Sequence, residues 1–267
     1  MTEDRKKTTA IRAMVLVMLV CASFLLFVNG TALAALTIKA NHDHIKIDFF
    51  YHGSTVSMRG VSDPGTDLII KIASPDGHQA LRQKGKVAGL LWMNVGELRF
   101  EQVPLLYSLH STRKISDILS PEEMDKYAIG LESVGKKAEI QPVSSEAEKT
   151  KWYGEFVKFK ESSNLYAETS GDISLNTNGG EQNYYVLSQW PYQAPPGDYI
   201  VTIYAVKDKK VVEMAETKVF VEQVGVVKSF AEMAKNSAAL YGTISIVAAL
   251  AAGFGVGLIF RKGGGAH

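Results

Sequence analysis

The feature that most constrains this chain is a charge-free stretch of 24 residues, Ser237 to Phe260, followed at once by Arg261 and Lys262. As a helix it would rise about 36 Å, enough to cross the hydrocarbon core of a bilayer with some tilt. Arg261 and Lys262 mark its cytoplasmic end by the positive-inside bias. The stretch therefore predicts a single span over 237–260, a short basic tail over 261–267 inside, and the bulk of the chain on the opposite side of the bilayer. Along the span, Ser245, Ala249, Gly253 and Gly257 recur at every fourth residue. Such a stripe lets a second helix backbone approach closely, which implies a homodimer or docking against a polytopic membrane protein. Glycine and alanine are also simply frequent in spans.

A second apolar block sits near the other end. MTEDRKKTTAIR leads into an uncharged run from Ala13 to Val28, and Ala32-Leu33-Ala34 precedes Ala35. A basic start, an apolar centre and small residues at a cleavage point make up the plan of a secretory signal peptide, so 1–34 is expected to be removed after Ala34. The alternative is an uncleaved anchor, since Ala13 to Leu36 is long enough to span if Asn29 and Thr31 are tolerated. A signal at one end and a stop-transfer at the other agree on one topology, with the domain outside and the tail inside.

Between these blocks the pattern is that of strands. LTIKA, HIKIDFF, STVSMRGV, TDLIIKIAS, KVAGLLWMN, LRFEQV and LLYSLHS are rich in β-branched and aromatic residues and are parted by turn chemistry. They define a first β-rich unit over 35–111. A helical insertion follows over 112–168. Ser120-Pro121-Glu122-Glu123 caps one helix, and Trp152, Phe156, Phe159 and Leu165 give a second its period. Strands resume over 169–223. There Ala194-Pro195-Pro196-Gly197-Asp198-Tyr199 feeds a closing hairpin of immunoglobulin-like appearance, with Tyr199 placed to make a corner hydrogen bond. The expected fold is mainly β: immunoglobulin-like antiparallel β-sandwich regions, read as two modest units, with the helical insertion between them. A juxtamembrane helix over 224–236, with Phe230 and Met233 on one face and Lys228 and Glu232 on another, leads to the span.

Side-chain chemistry is sparse. His42, His44 and His52 are the one ligand-like cluster, and two imidazoles at strand spacing share a face, so a copper or zinc site is one reading. Solvent-facing imidazoles beside a turn are the simpler one. His78 and His110 stand alone in the sequence. No GxSxG elbow, Walker loop, dinucleotide fingerprint or HExxH occurs, so neither an enzyme nor a cofactor is expected. The only cysteine, Cys21, precedes the domain. Without 1–34 the 29 basic and 28 acidic residues become 25 and 26. That balance, with no basic stripe, argues against nucleic acid as a partner. Trp92, in the glycine-rich, apolar run Lys84 to Asn94, reads most simply as a core anchor of a central strand, and less simply as part of a partner-binding edge.

Several strings fall in a familiar order: Gly53, Val56 and Gly60; Lys84 to Leu119; GLES; NLYAE at 164–168; PPGDYIVTIYAVKDKKVV; and LYGTISIVAALAAGFGVGLIFRK. Over about residues 38–262 the chain resembles the "putative transmembrane protein" family first described in alphaproteobacteria. The resemblance implies a single-pass protein of the Gram-negative inner membrane with a large periplasmic domain and a cytoplasmic C-terminus. It also implies the company of sulfite-exporter-type permeases. No residue role transfers with it, and the NHDH segment and the Lys136 to Lys149 region depart from its pattern. The function expected on these grounds is a membrane-anchored accessory module for a transporter of sulfite or another sulfur compound, with a histidine-based metal-binding domain as the alternative.

Overall fold

The structure, a computed structural model, describes residues 35–178 and 180–261. The expected cleavage residues Ala32 and Ala34, and Lys262 of the tail, lie outside the described residues. The first elements in chain order are β1 (Lys39–Ala40), β2 (His44–Ile47), β3 (Ser54–Ser62), β4 (Asp67–Ala73), β5 (Asp76–Val87), β6 (Leu91–Pro104) and β7 (Tyr107–Ser111). Next come α1 (Ile115–Ile118), α2 (Pro121–Tyr127), α3 (Leu131–Lys137), β8 (Glu139–Gln141) and α4 (Glu146–Ser162). The chain continues with β9 (Tyr166–Ser170), β10 (Ser174–Asn178), β11 (Glu181–Trp190), β12 (Gly197–Lys207) and β13 (Lys210–Gln223). It ends in α5 (Gly225–Asn236) and α6 (Ala238–Arg261).

The strands form a four-stranded sheet, β1-β3-β11-β10, a six-stranded sheet, β2-β13-β12-β4-β7-β9, and a three-stranded sheet, β5-β6-β8. Strands from before and after the helical insertion pair with one another within both larger sheets, so the two stretches read as separate β units build one body. The faces explain why. Val56 and Met58 of β3 and Tyr184, Val186 and Trp190 of β11 share a buried core with Leu68, Ile70 and Ile72 of β4 and Tyr199, Val201 and Ile203 of β12. Each half contributes strands to both sheets, so the apolar faces of the two halves close a single shared core. The Tyr199 hydroxyl donates to the Pro195 carbonyl at 2.5 Å, the corner bond its position suggested.

The six-stranded sheet is the middle layer. Ile69 of β4 and Tyr204 and Val206 of β12 point away from the first core into a second one, closed by Ile115, Ile118, Ile129, Val134 and Phe156 of the insertion. Burial on both faces is why LIIKIA and YIVTIYAV read as nearly continuous apolar runs. Two pairings, β13 with β2 and β7 with β9, are parallel, which side-chain alternation cannot distinguish from antiparallel ones.

Within the insertion, the Ser120 and Ser145 hydroxyls accept from the amides of Glu123 and Glu148, starting α2 and α4. On α4, Phe156 stacks on Phe100 of β6 with ring centroids 4.4 Å apart. Lys160, four residues on and therefore on the same face, is also buried, whereas Phe159 is exposed. The Lys160 ammonium donates to the Leu105 carbonyl at 3.0 Å and lies over the Phe156 and Tyr166 rings. Burial lowers its pKa to about 8.

Candidate functional site

Between the two larger sheets lies a cavity of about 700 Å³. β7 runs between β4 and β9, and the two-residue period of a strand puts Ser108 and His110 on one face. His110 Nδ1 donates to Asp172 Oδ2 at 2.5 Å, because a carboxylate can only accept. Its Nε2 faces two hydroxyls, Ser188 Oγ at 3.1 Å and Ser108 Oγ at 3.3 Å. Asp172 comes from the turn after β9 and Ser188 from the inward face of β11. Ser188 is 4% exposed and His110 6% exposed. Two buried polar atoms of residues lining this cavity have no hydrogen-bond partner, Asp172 Oδ1 and Trp190 Nε1.

Hydroxyl, imidazole and carboxylate thus stand in the order used by nucleophilic hydrolases. The backbone differs from that chemistry. Ser188 lies inside a regular ladder, opposite Val56 of β3, rather than on the strained turn that exposes a nucleophile. A second hydroxyl also competes for the same ring nitrogen. The arrangement is better suited to holding polar groups than to attacking them.

A second feature is the β5–β6 hairpin. Its strands meet around Ala88 and Gly89, both with positive φ, so the run read as a central strand is a turn and its flanks. Trp92 is 68% exposed and Leu90 83%, with Val87, Leu91, Met93 and Val95 also exposed. The core-anchor reading of Trp92 is therefore corrected. From Leu98 onward β6 enters the second core. The residues before it form an arm of about 23 Å at 3.3 Å per residue. Lys86 Nζ lies 5.5 Å from the centre of the Trp92 ring.

The histidines expected as a cluster are used separately. His44 pairs with Glu222 Oε1 at 2.9 Å and sits edge-on to Phe220. His52 binds the Phe50 carbonyl through Nδ1 and lines the cavity. His42 is exposed just before β2. Among the described residues no group of three or more His, Cys, Asp or Glu is placed to hold a metal ion. His110, isolated in the sequence, is instead the centre of the cavity network. Two of its partners, Asp172 and Ser188, lie 62 and 78 residues away along the chain, and no local motif announces them.

In α6, residues Ala238–Leu258 are long and apolar enough to cross a membrane, with none of the segment buried in the protein. Ser245, Ala249, Gly253 and Gly257 are all exposed, and a side chain added at Gly253 or Gly257 would meet open space. The Ser245 hydroxyl donates to the Tyr241 carbonyl at 2.8 Å, so it brings no unpaired group into lipid. Arg261 is the last residue of the helix. Ser237 interrupts the helical path between α5 and α6, and Phe230 of α5 meets Tyr241 of α6 edge to face.

No curated protein matches the chain. A family model does, over residues 35–262, and its description is "Putative transmembrane protein". That range takes in the sandwich, the insertion, the hairpin arm, the cavity and the apolar helix, and so the chain belongs to this family of transmembrane proteins.

Proposed function

We propose that this is a non-enzymatic, membrane-tethered accessory module, exported across the inner membrane, that docks on a polytopic membrane protein through the tip of its β5–β6 hairpin. The observation that carries the reading is the exposed apolar tip at Leu90 to Met93. A two-stranded arm gains nothing for its own stability from six large apolar side chains in water. Such a patch, rimmed by Lys84 and Lys86, suits a protein interface. The open small-residue face of α6 supplies a second contact inside the bilayer. A lone helix cannot form a pore, but it can hold a docking domain beside one and raise its effective concentration there.

The transporter most consistent with the family resemblance is an exporter of sulfite or another small sulfur compound. The basic residues Arg261 and Lys262 that end the apolar run favour an exported domain with its C-terminus facing the cytoplasm. Purification of the full chain in mild detergent tests the proposal. A polytopic protein should accompany it and be lost on Leu90→Ser with Trp92→Ser, since apolar anchors dominate such interfaces. A clean chain without a companion, or a companion indifferent to the double substitution, overturns it.

A further inference from the structure

We infer that the cavity between the two larger sheets is a binding site for a neutral, polyhydroxylated ligand, a saccharide of one or two rings. Charge excludes the main rivals. Among the described residues the lining contains no lysine or arginine and one carboxylate, Asp172, so an anion meets no fixed cation and one repelling group. A small anion such as sulfite is therefore not what this cavity takes, and the inference does not rest on the transporter-accessory reading.

The unpaired atoms narrow the class further. Asp172 Oδ1 is an acceptor and Trp190 Nε1 a donor, both buried without a partner, in residues on the cavity wall. Such groups are costly to leave unmade. A hydroxyl both donates and accepts, and so is a group suited to either. An ammonium cannot accept from the indole, and a fully deprotonated oxyanion cannot donate to the carboxylate. The His110 ring adds a third polar handle. When neutral, its Nε2 accepts from only one of the Ser188 and Ser108 hydroxyls, which leaves the other free to donate to a ligand. Tyr192, lining the cavity and 63% exposed, offers a flat apolar face for the C–H surface of a sugar ring. The volume is in the range of small-molecule sites.

Calorimetric titration of the full chain in mild detergent, with glucose, N-acetylglucosamine and maltose as probes and sulfite and choline in parallel, decides the matter. At least one sugar should bind saturably, and sulfite and choline should not. Tyr192→Ala and Ser188→Ala should each weaken binding by about tenfold or more. Should the buried Ser188→Ala fail to fold, Tyr192→Ala carries the test, because an exposed ring contributes little to stability. Three results overturn the inference: no sugar binding up to about 50 mM, where even a weak site fills; binding of sulfite or choline that Tyr192→Ala abolishes; or covalent labelling of Ser188 by a fluorophosphonate, which makes it a nucleophile.

Discussion

At the scale of single residues, Gly60 is the tightest position on β3. A Cβ there would lie 1.9 Å from the Thr37 carbonyl oxygen and 2.6 Å from the Tyr184 hydroxyl. Those two groups are themselves bonded, Tyr184 donating to Thr37 at 2.5 Å. Gly60→Ala should therefore cost about 1–3 kcal/mol, read as a lowered urea midpoint. Lys160 makes a pH prediction. Its pKa of about 8 in the folded chain lies below the ordinary 10.5, so between these values the unfolded chain binds the extra proton and stability rises with pH. Below pH 8 the full cost of a buried charge remains. Lys71, also held at about 8 chiefly by burial, adds to the slope. Above pH 10 it reverses, because burial raises the pKa of Tyr107 and Tyr166 and their unfolded counterparts ionise first. Urea midpoints measured from pH 7 to 9.5 should climb, and Lys160→Met should flatten the climb. Neither Lys160 nor His110 was legible beforehand. One is a lysine among lysines, and the other draws two of its three partners, Asp172 and Ser188, from far along the chain.

At the scale of elements, the caps were legible because they are local: Ser120 and Pro121 start α2 where their chemistry says they should. Ser120→Ala should cost about 1 kcal/mol, measurable in thermal unfolding. The hairpin was not legible. Lys84 to Asn94 reads as a buried strand because hydrophobicity is the usual signature of burial, and here the apolar side chains face water. It follows that Leu90→Ser with Trp92→Ser should leave stability within about 0.5 kcal/mol of the parent, while a buried Trp would cost about 3–5 kcal/mol. Thermal melts of the double variant separate the two cases. Parallel pairing of β2 with β13 and of β7 with β9 was equally hidden, since strand direction leaves no mark on alternation.

At the scale of the whole molecule, the apolar C-terminal helix was the most legible part, because a long uncharged run that finds no protein core to cover it is solvated far better by lipid than by water. The chain should stay with the membrane through carbonate washing, and appearance in the supernatant would contradict the span. The sandwich was legible as a class and not as a topology: the halves interleave, so residues 35–111 alone should show no cooperative unfolding, by far-UV circular dichroism during heating. The last strand before the anchor, β13, is bonded along one side to β12 and along the other to β2. Any tension transmitted from the bilayer enters the domain along that strand. It then loads two rows of hydrogen bonds in shear, many rungs together, instead of peeling them one at a time. The tether is thus fastened to a strand held on both sides, and a pull that extracts the domain must break several rungs together.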